Sequence, residues 1–194
     1  RAKNLSPSKE GLAARFQRLV SQPSIQRMLC GSPTFSLERA IDERHLIVFN
    51  LQSRAIGREA AKLLGQLVTA LIQAYAGRRS SPRSPAPKHP IHLFADECQY
   101  FVSEATSEIL EEARKSNFDI NLITQSTHQI EPTSVLHSLF TNVGRLMIGS
   151  NQGPTVGLME RQADVPGSII RNLATGQFIL KEAREAPFLL AQAF

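Results

Sequence analysis

Short apolar runs that end in polar residues recur along the chain and predict buried strands. Residues 45–51 read His-Leu-Ile-Val-Phe-Asn-Leu, residues 91–97 read Ile-His-Leu-Phe-Ala-Asp-Glu, and residues 120–125 read Ile-Asn-Leu-Ile-Thr-Gln. A fourth run covers residues 145–148. Apolar runs with polar groups near the carboxyl end are typical of strands that are covered on both faces of a parallel sheet.

Helical periodicity lies between these runs and predicts the α/β class. The strongest pattern covers residues 57–76, where apolar residues recur three and four positions apart. A helix between two strands of one sheet implies a right-handed parallel crossover. Shorter helical patterns cover residues 8–29 (interrupted at Pro23), 35–40, 103–116, 134–142 and 156–163. Near the end of the chain, residues 177–181 and 188–191 predict a β-hairpin.

Composition and charge set limits on the function. The chain has 194 residues, 42% of them hydrophobic, which suffices for one ordinary domain and a second small one. The net charge of +5 fits a polyanionic partner such as nucleic acid, although many basic domains bind none. Residues 77–88 hold three prolines and four cations, and an exposed surface loop explains them better than a nucleic-acid contact does.

Cysteine use and hydropathy favour a cytoplasmic protein. Cys30 and Cys98 are too few for a disulfide scaffold, which indicates a reducing compartment. His89, His92 and Cys98 match no metal-site spacing, and alternate strand residues point to opposite faces. No signal peptide or membrane-spanning segment is visible. The chain begins at Arg1 in mid-pattern, so we expect it to be a piece of something longer.

Asp96 and Glu97 are adjacent carboxylates that end an apolar strand. Sites in open α/β sheets lie just beyond the carboxyl ends of the strands, where these side chains would project. Such a pair suits phosphoryl transfer: Asp96 would hold Mg²⁺, directly or through water, while Glu97 would orient an attacking water. The alternatives are two carboxylates that cap the next helix, and a metal-dependent nuclease. The nuclease is the weaker alternative because no third carboxylate or lysine completes its usual set.

The ordered elements resemble the rear half of a RecA-like P-loop motor. They are most similar to the HerA/FtsK branch, especially the conjugative coupling ATPases of the TraG and TraD kind, which act in type IV secretion. The likeness covers about residues 10–194 and is carried by residues 35–50, the leucine-rich helix after Gly57, residues 92–101, 113–115, 122–126 and 142–144, and the closing hairpin. It implies that residues 41–194 form a RecA-like core with flanking helices and a C-terminal hairpin. Residues 1–40 would be the end of an all-α insert.

The resemblance also implies roles for the polar residues at the strand ends. Asp96 would be the Walker B aspartate that holds Mg²⁺, and Glu97 would be the catalytic glutamate. Gln125 matches the sensor glutamine that reads the γ-phosphate or the attacking water, and an amide suits that position because it both donates and accepts. An ordinary polar strand end is the alternative for Gln125. Thr124, beside it, is a candidate cofactor-binding residue.

Arg114 matches the arginine that members of this family offer across a subunit boundary. A fixed planar cation stabilises the charge that spreads over a transferring phosphoryl group. This role requires a ring in which one subunit reaches the nucleotide of its neighbour. Arg145 and Arg161 are competing candidates for the finger, and a favourable contact with the helix dipole is the alternative explanation of Arg114.

The sequence departs from the family in one respect: it contains no P-loop. That motif reads Gly-x-x-x-x-Gly-Lys-Ser/Thr, and its backbone amides and lysine hold the phosphates. The glycine-rich residues 149–153 have no following lysine and predict a turn. We therefore expect the chain to be inactive by itself, with ATP and Mg²⁺ as cofactors of the intact protein only.

Two functions of different classes follow. The first is the C-terminal portion of a ring-forming, hexameric ATP-driven DNA translocase. Its partners would be DNA, further copies of itself, and secretion-channel or relaxosome proteins, at the cytoplasmic face of the bacterial inner membrane. The second is a non-catalytic DNA- or protein-binding module that keeps the motor fold without a P-loop. A P-loop encoded upstream in the same gene would favour the first, and an initiator Met just before Arg1 would favour the second. No DNA-binding residue is predicted.

Overall fold

The structure, a computed structural model, divides into two compact units that are described separately. They are Arg1–Leu67 and Val68–Phe194. The structure describes residues 13, 17, 20, 21, 23–32, 34–79, 89–102, 106, 110, 117–131, 133–183 and 185–191. The boundary predicted after residue 40 follows from the resemblance and stays a prediction.

The first unit is helical in the described residues. Its helices are α1 (Pro23–Leu29), α2 (Leu37–Asp42), α3 (Ser53–Ile56) and the first part of α4 (Arg58–Arg79). α2 begins at a capping serine, because the hydroxyl oxygen of Ser36 accepts the backbone N–H of Arg39 at 3.3 Å. Ile25, Ala60 and Leu64 form the core of the unit. The predicted helices at residues 35–40 and 57–76 are thus confirmed in place.

The strand predicted at residues 45–51 is wrong for the described part of the chain. Residues 45–50 lie outside regular secondary structure, and no described strand pairs with them. Leu46 is 93% exposed and Val48 is 78% exposed. An apolar run forms a strand only where another backbone edge accepts its hydrogen bonds, and the sequence pattern does not say whether that edge is present.

Helix α4 is apolar over a wider face than the chain buries. Ala60, Leu64, Ile72 and Tyr75 are buried, as the periodicity predicts. Three leucines at spacings of four residues, which the same pattern predicted to be buried, are 37 to 50% exposed: Leu63, Leu67 and Leu71. They lie on one face of the helix because residues four apart are neighbours on its surface.

The second unit contains two small sheets. In the first, β1 (Ile91–Ala95) runs parallel to β2 (Phe118–Leu122), with Leu93 opposite Ile120. In the second, β3 (Arg145–Ile148), β4 (Gln177–Glu182) and β5 (Phe188–Ala191) are antiparallel, with β4 in the centre. The predicted C-terminal hairpin is therefore confirmed as β4 and β5.

Helices and short 3₁₀ turns cover these sheets. In the part of the unit that the structure describes, 3₁₀ turns span Cys98–Tyr100 and Thr127–Gln129. The helices are α5 (Thr133–Asn142), α6 (Pro154–Ala163) and α7 (Gly167–Arg171), of which the short α7 has no counterpart in the sequence prediction. Most of the helix predicted at residues 103–116 lies outside the described residues. None of the described helices is long and apolar enough to cross a membrane.

Two apolar clusters lie among the described residues of the second unit. One joins α6 and α7 to the second sheet through buried side chains that include Ile148, Val156, Ile170 and Ile179. Gly167 permits the close approach of α6 and α7, because a Cβ at this position would lie 2.9 Å from a methyl group of Val156. The other cluster lies beneath the end of β1 and consists of Cys98, Val102, Ile130 and Val135.

The α/β class is confirmed by this mixture of helices and small sheets. A single continuous RecA-like sheet stays a prediction, because β1 and β2 are hydrogen-bonded to each other only and β3 pairs only with β4 in the described residues. The second edges of β2 and β3 therefore carry backbone groups that a further strand is able to pair with.

Candidate functional site

The parallel pairing of β1 and β2 brings their carboxyl ends together. Ile123, directly after β2, donates its backbone N–H to the carbonyl of Ala95 at 3.0 Å. Cys98 donates its N–H to the carbonyl of Ile123 at 2.9 Å, which ties the turn after β1 to the segment after β2. The four candidates Asp96, Glu97, Thr124 and Gln125 therefore lie at one edge of the sheet, where open α/β folds place their sites.

The Glu97 carboxylate is held by two amide side chains. Gln125 donates its Nε2 hydrogen to Oε1 of Glu97, and Gln99 donates its Nε2 hydrogen to Oε2 at 2.6 Å. Hydrogen bonds to an ionised group are roughly twice as strong as those between neutral groups. The structure thus joins two residues that the sequence named separately, Glu97 and Gln125, and adds Gln99 to them.

Glu97 has a strained backbone. Its φ of 49° and ψ of 46° lie in the left-handed region, which costs an L-residue about 1–2 kcal/mol. The turn is fixed by Asp96, whose Oδ1 accepts the backbone N–H of Glu97 at 3.0 Å. Residues in such conformations cluster at ligand and active sites, where the surrounding structure holds them in place.

Asp96 is exposed beyond the end of β1 and suits one kind of cation. Mg²⁺ usually keeps several waters and binds one or two carboxylates together with the phosphates of a nucleotide. Asp96 could contribute one carboxylate of this kind, whereas both oxygens of the neighbouring Glu97 already accept hydrogens from two amides. Among the described residues, no group of three or more His, Cys, Asp or Glu side chains forms a cage made of protein ligands alone.

Thr124 contacts protein groups through its hydroxyl. This hydroxyl lies 2.8 Å from Oε1 of Gln99 and 3.1 Å from the carbonyl of Ser126, which are alternative acceptors of its one hydrogen. It also accepts the backbone N–H of Ser126 at 3.2 Å. The link from Thr124 through Gln99 to Glu97 runs from one strand end to the other. The sequence pattern gave no signal for Gln99 beyond its position two residues after the glutamate.

A second layer of polar side chains supports the loop after β2. Asn151 donates its Nδ2 hydrogen to the backbone carbonyl of Gln125 at 3.1 Å. The Ser126 hydroxyl lies 2.6 Å from Nδ1 of His128 and 3.2 Å from the hydroxyl of buried Thr155, at the start of α6. The glycine-rich residues 149–153, predicted to turn, form this supporting loop.

Cys98 lies beside the carboxylates but does not act as a thiolate. It is 1% exposed, and burial raises the pKa of its thiol to about 11, with smaller contributions in the same direction from the charges of Glu97 and Asp96. A nucleophilic or metal-binding cysteine requires the thiolate form. Cys98 instead packs with Val102, Ile130 and Val135 beneath the site.

The structure describes two of the three arginine candidates. Arg114 lies outside the described residues. Arg145 forms an ion pair with Glu182 on the surface of the second sheet, with its Nε and Nη2 atoms 2.8 and 2.6 Å from Oε1. Arg161 is exposed in the last turn of α6.

Comparison by sequence finds no relative: no family model and no curated protein matches the chain. Comparison with solved structures does find chains of similar fold. Plasmid coupling protein TrwB in complex with the ATP analogue ADPNP superposes with a TM-score of 0.70 at 14% identity, over 95% of this chain and 49% of TrwB. The unbound form of the bacterial conjugative coupling protein TrwBdeltaN70 gives 0.66 at 14% identity, over 84% and 44%. TrwB with the GTP analogue GDPNP gives 0.59, also at 14%, over 83% and 44%.

The likeness to conjugative coupling proteins is therefore confirmed at the level of the fold. The chain spans just under half of the TrwB chains that it matches. Two of the three structures contain a nucleotide analogue, which establishes nucleotide binding for TrwB itself.

Proposed function

We propose that this chain supplies one half of a nucleotide-hydrolysis site in a ring-forming, ATP-driven DNA translocase of the conjugative coupling type. The observation that supports this most strongly is the contact between Glu97 and Gln125 at the carboxyl ends of two parallel strands. It occurs in a fold shared with TrwB, whose structures include complexes with ATP and GTP analogues.

Glu97, Gln125 and Asp96 each have a separate role in ATP hydrolysis. Glu97 orients the attacking water, because a carboxylate with both oxygens already positioned has lone pairs left that a water hydrogen is able to reach. Gln125 places its amide between that water and the terminal phosphate. Asp96 would hold Mg²⁺, which would supply charge neutralisation to the phosphates of bound ATP. A P-loop from outside residues 1–194 provides the remaining phosphate contacts, since this sequence contains none.

The remaining parts of the proposal come from the family resemblance. Copies of the protein assemble into a hexameric ring, and Arg114 of one subunit reaches the nucleotide of the next. The net charge of +5 is compatible with DNA as the translocated polymer. Secretion-channel or relaxosome proteins are the further partners, at the cytoplasmic face of the bacterial inner membrane.

DNA-stimulated ATP hydrolysis by the intact protein tests this function. Asp96→Asn removes the charge that holds Mg²⁺, so we expect at least about a hundredfold loss of hydrolysis. Asp119→Asn is the matched control. Asp119 is an exposed carboxylate near the amino end of β2 that contacts His92 at 3.1 Å, away from the carboxyl ends of the strands. ATP hydrolysis by this variant should stay at the wild-type level. Equal activity of both variants would refute the assignment of the site.

The second candidate is a non-catalytic module that binds DNA or a partner protein. Residues 1–194 contain no P-loop, and this candidate extends that property to the intact protein. It predicts that the intact protein binds DNA or its partner equally well with and without ATP and does not hydrolyse ATP. Hydrolysis that depends on Asp96 would exclude it.

A further inference from the structure

Gln99 connects the two strand ends through a single side chain. It lies in the 3₁₀ turn Cys98–Tyr100, directly after Glu97, and its amide reaches Glu97 on one side and Thr124 on the other. The two contacts measure 2.6 and 2.8 Å. We infer that Gln99 is a positioning residue that fixes the Glu97 carboxylate for water activation; this inference rests on the proposed function.

The orientation of the Gln99 amide is fixed at its Glu97 end. A carboxylate only accepts hydrogen bonds, so the NH₂ group of Gln99 faces Glu97. The carbonyl oxygen then faces Thr124, whose hydroxyl donates to it. Reversing the amide would place its oxygen against the carboxylate, whereas the Thr124 hydroxyl, which both donates and accepts, fits either orientation. This chain of contacts crosses 25 residues of sequence and joins the ends of β1 and β2.

The two amides on Glu97 are not equivalent. Gln99 is half-buried and has a second side-chain partner, whereas Gln125 is exposed and holds Glu97 from the solvent side. When Gln125 turns its amide toward a phosphate or a water, the Gln99 contact keeps the carboxylate in place. Gln99 therefore acts on Glu97, while Gln125 acts on the nucleotide.

Steady-state ATP hydrolysis by the intact protein tests the inference through kcat and KM. Gln99→Leu removes the hydrogen bond to Glu97. We expect kcat to fall about tenfold or more while KM stays within about twofold of the wild-type value, because the contact positions a reacting group and does not bind ATP. Thr124→Val releases the amide while keeping the shape of the side chain, and kcat falls in the same direction. Thr124→Ser restores the hydroxyl and recovers most of the loss. The loss of kcat in the double variant is smaller than the product of the two single losses, since both changes remove one shared contact, while Thr124→Val also removes the bonds to Ser126.

Gln129→Leu is the matched control, because Gln129 is an exposed glutamine in the other 3₁₀ turn and contributes nothing to the proposed site. Its kcat stays at the wild-type value. Normal kcat in Gln99→Leu, together with Glu97-dependent hydrolysis, overturns the positioning role and leaves the proposed function standing. Absence of Glu97-dependent hydrolysis refutes the proposed function and this inference with it.

The side-chain amide resonances of the present chain give a readout that does not depend on hydrolysis. In a ¹⁵N–¹H spectrum, Thr124→Val and Glu97→Gln each move the Gln99 side-chain signal toward the position of the solvated Gln129 amide. Thr124→Ser leaves it near its original position. An unmoved Gln99 signal in Thr124→Val shows that Thr124 does not hold the amide and overturns the inference.

Discussion

The backbone strain at Glu97 predicts an unusual preference for glycine. Glu97→Gly and Glu97→Ala lose the same contacts with Gln99 and Gln125, so the difference between them isolates the backbone. With a φ of 49° and a ψ of 46°, alanine pays about 1–2 kcal/mol of left-handed strain that glycine does not. The lower unfolded-state entropy of alanine returns about 0.4–1 kcal/mol. We therefore expect Glu97→Gly to be more stable than Glu97→Ala by about 0.5–1 kcal/mol.

Glu160 provides a control, because the stability difference between its glycine and alanine variants should have the opposite sign. It lies within α6, where alanine stabilises the helix over glycine by about 1 kcal/mol. Both substitutions there remove the same contact, in which Glu160 accepts the N–H of Gly167 at 3.1 Å. The glycine-minus-alanine difference in the free energy of unfolding should thus change sign between the two positions, with a total separation of about 1.5–2 kcal/mol.

Urea denaturation followed by tyrosine fluorescence measures these free energies of unfolding. The chain has two tyrosines and no tryptophan, and both Tyr75 and Tyr100 lie in the unit that contains the site. If Glu97→Ala proves as stable as Glu97→Gly, or more stable, the left-handed strain is no larger than the entropic gain of about 0.4–1 kcal/mol, and the larger strain assigned to the turn at Glu97 is refuted.

Three further predictions concern the core, the buried thiol and the subunit boundary. Ile170→Ala should lower the free energy of unfolding by about 2–5 kcal/mol, because Ile170 is fully buried. Ile169→Ala should lower it by less than about 1 kcal/mol, because Ile169 is 48% exposed. Equal losses in urea denaturation would contradict the packing of α7. Exposed Cys30 should react with a thiol reagent at neutral pH before Cys98, because Cys98 is 1% exposed and the protein must unfold before it reacts. Mass spectrometry monitors the labelling, and simultaneous reaction of both cysteines would refute the burial of Cys98. If Arg114 acts across a subunit boundary, mixing Arg114→Ala subunits with subunits that lack the P-loop lysine should restore part of the ATPase activity, and no recovery would count against that role.

The sequence predicted the strands that have a described strand to pair with. The alternation at residues 177–181 and 188–191 identified the hairpin, because its two strands pair with each other. The apolar run before Asp96 identified β1, and the run at residues 120–125 identified β2, which starts two residues earlier and ends three residues earlier than predicted. Since parallel strands end at the same edge, the positions of the carboxylates and the strand-end amide followed from these two assignments.

The features that the sequence missed depend on groups far from the residue concerned. Leu46 and Val48 have a strand pattern but no described strand to pair with, and Leu63 has a helical pattern but no described cover. Gln99 gained its position from the left-handed turn at Glu97 and from Thr124, which is 25 residues away. Local periodicity carries no information about such contacts, because it reports which face is apolar and not what the face meets.

ATP binding and hydrolysis by the intact protein carrying Glu97→Gln show whether the Glu97 carboxylate takes part in hydrolysis. This change keeps the shape of the side chain but removes the charge that orients water, so ATP should bind with an affinity near that of the wild type while hydrolysis falls at least about a hundredfold. Glu131→Gln, at an exposed glutamate beyond the 3₁₀ turn Thr127–Gln129, is the control and should hydrolyse ATP normally. Near-normal turnover of Glu97→Gln would contradict the account, because the carboxylate held by Gln99 and Gln125 would then have no part in hydrolysis.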